Sequence, residues 1–179
     1  MKKINRQQAV NQISNEILIS LGYDERESLL LDWWGIDDTS PEFFTLSEQL
    51  QHSIKTNDDL PNDINDSKYN ELIQIALTSK LKGVTNIYLS KKLALLKLGD
   101  YEVYGNIEPL EVCPCCDYHT LPSLANYDIC DLCHWEDNGT NSLDSYRSPN
   151  HMTLREAKES FAKKAETLPL DKWARGEHS

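Results

Sequence analysis

The spacing of apolar residues changes character twice along this chain. Between residues 10 and 21 they recur every three or four positions, at Val10, Ile13, Ile17 and Leu21, which predicts an amphipathic helix that Gly22 stops. Arg26 to Trp34 carries Leu29, Leu30, Leu31, Trp33 and Trp34, too apolar for a surface helix. It predicts the buried helix of this region, with the Trp pair in the core rather than on a binding platform. Ser40 before Pro41 has the form of an N-cap with proline at the first helical position, opening a helix that holds Phe43, Phe44, Leu46 and Leu50. Thr56 to Asp66, rich in Asp and holding Pro61, predicts a loop, after which Ser67 caps a helix through Tyr69, Leu72, Ile73, Ala76 and Leu77. Gly83 breaks the chain. Helical spacing resumes over residues 86–98, at Leu89, Leu93 and Leu96, until Gly99 and Asp100 close it.

Beyond residue 100 the pattern shortens. Tyr101 to Tyr104 suits a short strand, Gly105 a turn, and residues 109–112 an extended lead into a cysteine-rich stretch, with a second strand expected over Tyr127 to Ile129. Thr153-Leu154-Arg155-Glu156 is a capping box, and the helix it opens carries Leu154, Ala157 and Phe161 on the face expected to dock on what precedes it.

All five cysteines fall in one window, as Cys113-Pro114-Cys115-Cys116 and Cys130-Asp131-Leu132-Cys133. A two-residue gap lets a tight turn present both thiolates of a pair to one ion, and tetrahedral zinc takes four such ligands. Residues 117–129 are enough for a strand, a turn and a strand that bring the two turns face to face, as in a zinc ribbon. The expected ligands of a structural Zn2+ are therefore Cys113, Cys116, Cys130 and Cys133, with Cys115 spare and pointing away. A register through Cys115 would need His119 or His134 to complete the set. Clustered cysteines also suit a disulfide framework, but that belongs to small proteins of oxidising compartments. Lys2, Lys3 and Arg6 are followed by Asn and Gln rather than by the apolar core of a signal peptide. No apolar run nears the roughly 18 residues of a membrane span, so the expectation is a soluble, cytoplasmic chain.

These readings give an α+β fold class: a mainly helical N-terminal module, then a small zinc-ribbon-like module with short antiparallel strands and a C-terminal helix. The expected boundaries are 1–105 for the helical module, 106–165 for the metal module with its docked helix, and 166–179 for a tail.

Charge changes the functional picture. The formal net charge is -11, with 11 basic and 16 acidic residues over 1–105, 1 and 8 over 106–152, and 6 and 5 over 153–179. The cysteine window is the most acidic part, with Arg147 as its single basic residue. Affinity for phosphate backbones comes largely from Lys and Arg, so direct nucleic-acid binding by this module is not expected despite the ribbon-like pattern. An acidic surface attracts a basic partner instead. The chain has no phosphate-binding glycine loop, no His-Glu-x-x-His motif and no Ser-centred nucleophile elbow. Four cysteines close a zinc site that catalysis would need open, so no enzyme is expected. The one catalytic alternative is Cys115 with His119, His134 or His151 as its base.

Cys113-Pro-Cys-Cys-Asp-Tyr-His-Thr-Leu, Tyr127-Asp-Ile-Cys-Asp-Leu-Cys-His-Trp-Glu-Asp and Pro149-Asn-His-Met-Thr-Leu-Arg-Glu-Ala together resemble the bacterial CPCC family of small cysteine-rich proteins, over about residues 110–162. The family usually has Gly, Pro and an aromatic residue where this chain has Asp117, Asp131 and His134. A zinc turn often needs left-handed backbone at the first of these positions, which Asp takes at modest cost. Trp33-Trp34-Gly-Ile-Asp-Asp and Gly83-Val-Thr-Asn-Ile-Tyr-Leu look like a segment fused to CPCC modules in bacterial proteins of this size. The resemblance implies no enzymatic activity and a role as an immunity protein, encoded beside toxins of interbacterial competition.

The leading expectation is thus an immunity protein that binds a cognate toxin domain, such as a basic nuclease, with acidic side chains imitating phosphates. The candidate contacts are Asp37, Asp38 and Glu42 on one loop, Asp58, Asp59, Asp63 and Asp66 on another, and Glu136 and Asp137 beside the zinc. Glu136 and Asp137 have a second reading, as groups that hold the second cysteine turn through backbone amides. The alternative function is a zinc-ribbon adaptor for nucleic acid or transcription, kept open by Arg155, Lys158, Lys163 and Lys164 on the C-terminal helix.

Overall fold

The structure, a computed structural model, describes residues 2–140, 142–146 and 148–176, so Arg147 lies outside the described residues. Its class is α+β, and its contacts divide the chain into two compact units. The first comprises residues 1–82 and 92–101, the second residues 83–91 and 102–179.

The first unit is helical. Strand β1 (Lys2–Asn5), which no apolar alternation announces, leads straight into α1 (Arg6–Ser20). Asn5 caps that helix by accepting from Gln7 N at 2.9 Å. Gly22 directly follows the end of α1 and its C-cap Leu21, and it is also the N-cap of α2 (Tyr23–Trp33). Helix α4 (Asn70–Ser79) packs against α1 and α2 and carries Leu72, Ile73 and Ala76 fully buried, with Leu30 and Phe43 in the same core. Trp34 belongs to that core too: its Nε1 donates to Asn57 O at 2.9 Å and its ring meets Tyr69 edge-on at 5.8 Å. The loop before α4 is pinned by buried Arg26, which donates to Ile64 O at 3.2 Å and to Asn70 Oδ1 at 2.9 Å.

Two helix starts differ from the sequence reading. Pro41–Thr45 is a short 3-10 turn, and α3 (Glu48–Thr56) begins separately after Ser47. The reason is the Ser47 amide, which donates to the Glu71 carboxylate at 2.7 Å rather than to a carbonyl one helical turn back. Asp66, not Ser67, caps the next element: its carboxylate accepts from Lys68 N at 3.0 Å ahead of a 3-10 turn that runs into α4. Helix α5 (Asn86–Leu95) belongs to the second unit through Lys91 and to the first from Lys92.

The second unit takes β2 (Tyr101–Tyr104) from Glu102 on, and holds an antiparallel pair, β3 (Glu111–Val112) with β4 (His119–Leu121), whose register shifts between Glu111 and Val112. No strand forms over 127–129. Ala125 and Tyr127 take left-handed backbone, φ 57° and 62°, which breaks the pleat and leaves one bridge, Ile129 with Glu136. Thr153 and Glu156 make the expected reciprocal cap of α6 (Leu154–Lys164): Thr153 N donates to Glu156 Oε2 at 2.8 Å, and Glu156 N to Thr153 Oγ1 at 3.2 Å. Lys158 ties α6 to Asp117 at 3.1 Å, and Phe161 meets Tyr118 edge-on at 6.4 Å.

The segment read as a tail is hydrogen-bonded chain as far as Gly176. Thr85 N donates to Lys172 O at 2.8 Å, His119 N to Ala174 O at 2.9 Å and Gly176 N to Asp117 O at 2.7 Å. Trp173 is buried and bridges Val84. Among the described residues, no helix is long and apolar enough to cross a membrane.

Candidate metal centre

The two cysteine turns are built alike. Cys113 N donates to Tyr118 O at 2.9 Å and Asp117 N returns to Cys113 O at 3.0 Å; Cys130 N donates to Trp135 O at 2.9 Å and His134 N returns to Cys130 O at 2.8 Å. Each turn therefore closes on a residue five positions after its first cysteine, through one left-handed residue, Asp117 at φ 65° and His134 at φ 62°. The departure from glycine at residue 117 is accommodated, since the Asp backbone takes that conformation.

Stacking the turns brings Cys113, Cys116, Cys130 and Cys133 together, with all four sulfurs within 4.8 Å of one another. Cys113 Sγ lies 3.6 Å from Cys133 Sγ, and Cys116 Sγ 3.7 Å from Cys130 Sγ. These are not disulfides, whose sulfurs are about 2.05 Å apart, and all five cysteines are free. A tetrahedron of thiolates around an ion at about 2.3 Å has edges of roughly 3.8 Å, so the spacing fits four ligands sharing one metal ion.

Backbone amides already point at the sulfurs, and one hydroxyl, also within reach of Tyr118 O at 3.4 Å, lies beside them. Cys115 N donates to Cys113 Sγ, and Leu132 N and Cys133 N to Cys130 Sγ, each at 3.4 Å. Thr120 Oγ1 lies 3.0 Å from Cys130 Sγ in a buried setting. Sulfurs this close divide their protons unequally. Hydrogen bonds from Cys113 first, then Cys116 and Cys133, hold the Cys130 thiol far below its usual range. Cys116 and Cys133 are pushed up, each chiefly by its hydrogen bond with Cys113, and Cys113 is lowered chiefly by Cys116. A bound cation would take the place of the protons that this cluster otherwise shares.

Cys115 is buried but outside the four-sulfur group. It lines a half-open cavity of about 400 Å³ together with Leu132, Cys133, Trp135, Met152 and Phe161. His119 Nδ1 pairs with Leu110 O at 2.7 Å, which occupies it away from the sulfurs, and His134 is exposed.

Residues 111–166 match the family model for cysteine-rich CPCC proteins. The match spans both cysteine turns, α6 and the first part of the 3-10 turn after it. No curated protein and no solved structure matches the chain.

The acidic candidates fall in different surroundings. Asp37, Asp58 and Asp59 line one depression of about 460 Å³ in the first unit, with Leu31, Trp34 and Lys55. Asp37 accepts from Thr39 N at 2.9 Å and Thr39 Oγ1 at 2.6 Å, which hold its carboxyl below the usual range. Asp38 pairs with Lys55 at 3.3 Å, and Glu42 and Asp63 are exposed away from that depression. Asp66 is committed to its cap and to Lys68 at 3.2 Å. Glu136 is half-buried on the rim of the cavity beside Cys133. Asp137 offers no contact surface, because it is 2% exposed and its carboxylate accepts from Ala125 N at 2.7 Å and Gly139 N at 3.1 Å. Those two amides lie outside the Cys130–Trp135 turn, so the carboxylate ties the flanking loops at residues 125 and 139 rather than the turn itself.

Sequence reasoning passed over Thr120. A hydroxyl that reaches a sulfur ten residues further on has no spacing signature, and only the packing of β4 beside the second turn places it.

Proposed function

We propose that this chain is an immunity protein that neutralises a cognate toxin domain by binding it, and that its four cysteines hold one structural Zn2+. The observation that carries the binding role is the depression where Asp37, Asp58 and Asp59 converge beside Trp34 and an exposed Leu31. A cluster of carboxylates around apolar surface, on a chain of net charge -11, favours a basic partner with an apolar anchor. A toxin whose substrate is a nucleic acid presents such a surface, and on this reading the carboxylates take the place of its substrate's phosphates.

The metal's part is structural. Four thiolates complete the tetrahedral coordination of zinc and leave no open position for a substrate, so it acts as a cross-link between the two turns. The matched segment covers the cysteine module alone, and it is the resemblance of that module to CPCC proteins that joins it to this role.

Affinity capture with the tagged chain from nuclease-treated native cells, followed by co-expression with the recovered polypeptide, tests the reading. It expects one basic domain whose toxicity the chain relieves, and loss of that relief on reversing Asp37, Asp58 and Asp59 to Lys. Recovery of polymerase or ribosomal proteins instead favours the adaptor reading, and relief that survives the reversal removes the phosphate-mimic mechanism.

A further inference from the structure

The four candidate ligands are chemically unequal. Cys130 Sγ receives two amides at 3.4 Å and faces the Thr120 hydroxyl at 3.0 Å. Cys113 Sγ receives one amide, at 3.4 Å. Among the described residues, Cys116 and Cys133 receive neither an amide nor a hydroxyl. Burial divides them again: Cys113, Cys116 and Cys130 are at most 1% exposed, whereas Cys133 is partly open and lines the cavity of about 400 Å³.

Each hydrogen bond onto a thiolate spreads its charge, which stabilises it as a ligand and makes it a poorer nucleophile. Access acts in the same direction, since an electrophile or a competing chelator must reach the sulfur. We propose that Cys133 is the labile ligand of this site, the position where the coordination opens, and that Thr120 is a positioning residue that makes Cys130 the last to let go. This rests on the zinc reading above.

Reaction order tests it. The zinc-loaded full chain is treated with limiting iodoacetamide in the presence of a coloured zinc chelator, and each cysteine is followed by peptide mass spectrometry. Every event forms one S–C bond, expels iodide and turns a thiolate into a thioether, a much weaker ligand. Cys133 is expected to react first of the four, in step with chelator colour, and Cys130 last. The background from Cys115 is removed by Cys115→Ser. Thr120→Val is expected to weaken zinc retention by about ten- to hundredfold and to bring Cys130 forward in the order, while Thr120→Ser restores both. Cys113, Cys116 or Cys130 reacting ahead of Cys133 overturns the ranking, as does Thr120→Val retaining zinc like the unsubstituted chain. If Thr120→Val does not fold, the order in the unsubstituted chain decides. A chain that binds no zinc, with four thiols reacting together, overturns the zinc reading itself and this inference with it.

Discussion

Asp117 and His134 are counterparts: each lies four residues after the first cysteine of its pair, each has left-handed backbone, φ 65° and 62°, and each amide closes its turn onto that cysteine's carbonyl. Left-handed backbone costs a non-glycine residue roughly 1–2 kcal/mol. What each side chain returns for that cost differs. Asp117 pairs with Lys158 on α6 at 3.1 Å, whereas the exposed His134 has no ion pair or side-chain hydrogen bond among the described residues.

His134→Gly should therefore stabilise the metal-loaded chain by up to about 1 kcal/mol, and Asp117→Gly by less, since it forfeits the Lys158 pair. His134→Val should destabilise, because a β-branched residue fits left-handed backbone worst. Urea unfolding of the three variants at saturating zinc checks the order.

Asp137→Ala leaves the amides of Ala125 and Gly139 without their acceptor. A fully buried amide so stranded costs about 1–3 kcal/mol, and these two bonds are part-buried, so a loss of about 2 kcal/mol is expected, with Asp137→Asn keeping part of the stability. Partner affinity at saturating zinc should be unchanged for whatever fraction remains folded, which calorimetry can separate from the stability effect.

Removal of the metal should act on one unit. Structural zinc contributes on the order of 10–16 kcal/mol in small modules, comparable with the whole stability of a domain. The first unit has its own apolar core around Leu30, Phe43, Leu72 and Ile73. Hydrogen exchange after strong chelation should thus show residues 111–140 and α6 losing protection while α1, α2 and α4 retain theirs.

Acid should loosen α6. The Thr153 amide and hydroxyl hold the Glu156 carboxyl below its ordinary value, so its folded pKa lies under its unfolded one. Its contribution is then complete above the unfolded carboxylate pKa and fades as pH falls through the folded value. Glu156→Gln should flatten that part of the stability profile between about pH 5 and 3, measured by thermal unfolding.

The four-cysteine cluster was largely legible in the sequence because two-residue gaps are a local property of the chain: Cys113 with Cys116 and Cys130 with Cys133 need only a tight turn each. Helices with strong apolar periodicity, such as α1 and α4, were legible for the same local reason. What long-range contacts decide was not. Glu71 interrupts the helix expected from Pro41 by taking the Ser47 amide, and Lys172 and Ala174 bind residues 85 and 119 far back in the chain. Asp137 looked like surface because it sits in a polar loop, yet two neighbouring amides draw it inside. Thr120 became visible only once β4 was set beside the second turn.

The most direct test of the account is X-ray absorption at the metal edge of the full chain, with metal content measured on the same sample. One zinc per chain with four sulfur scatterers at about 2.3 Å is the predicted result, unchanged in Cys115→Ser and lost in Cys130→Ser. A nitrogen or oxygen in the coordination sphere, a different metal, or no bound metal would contradict it.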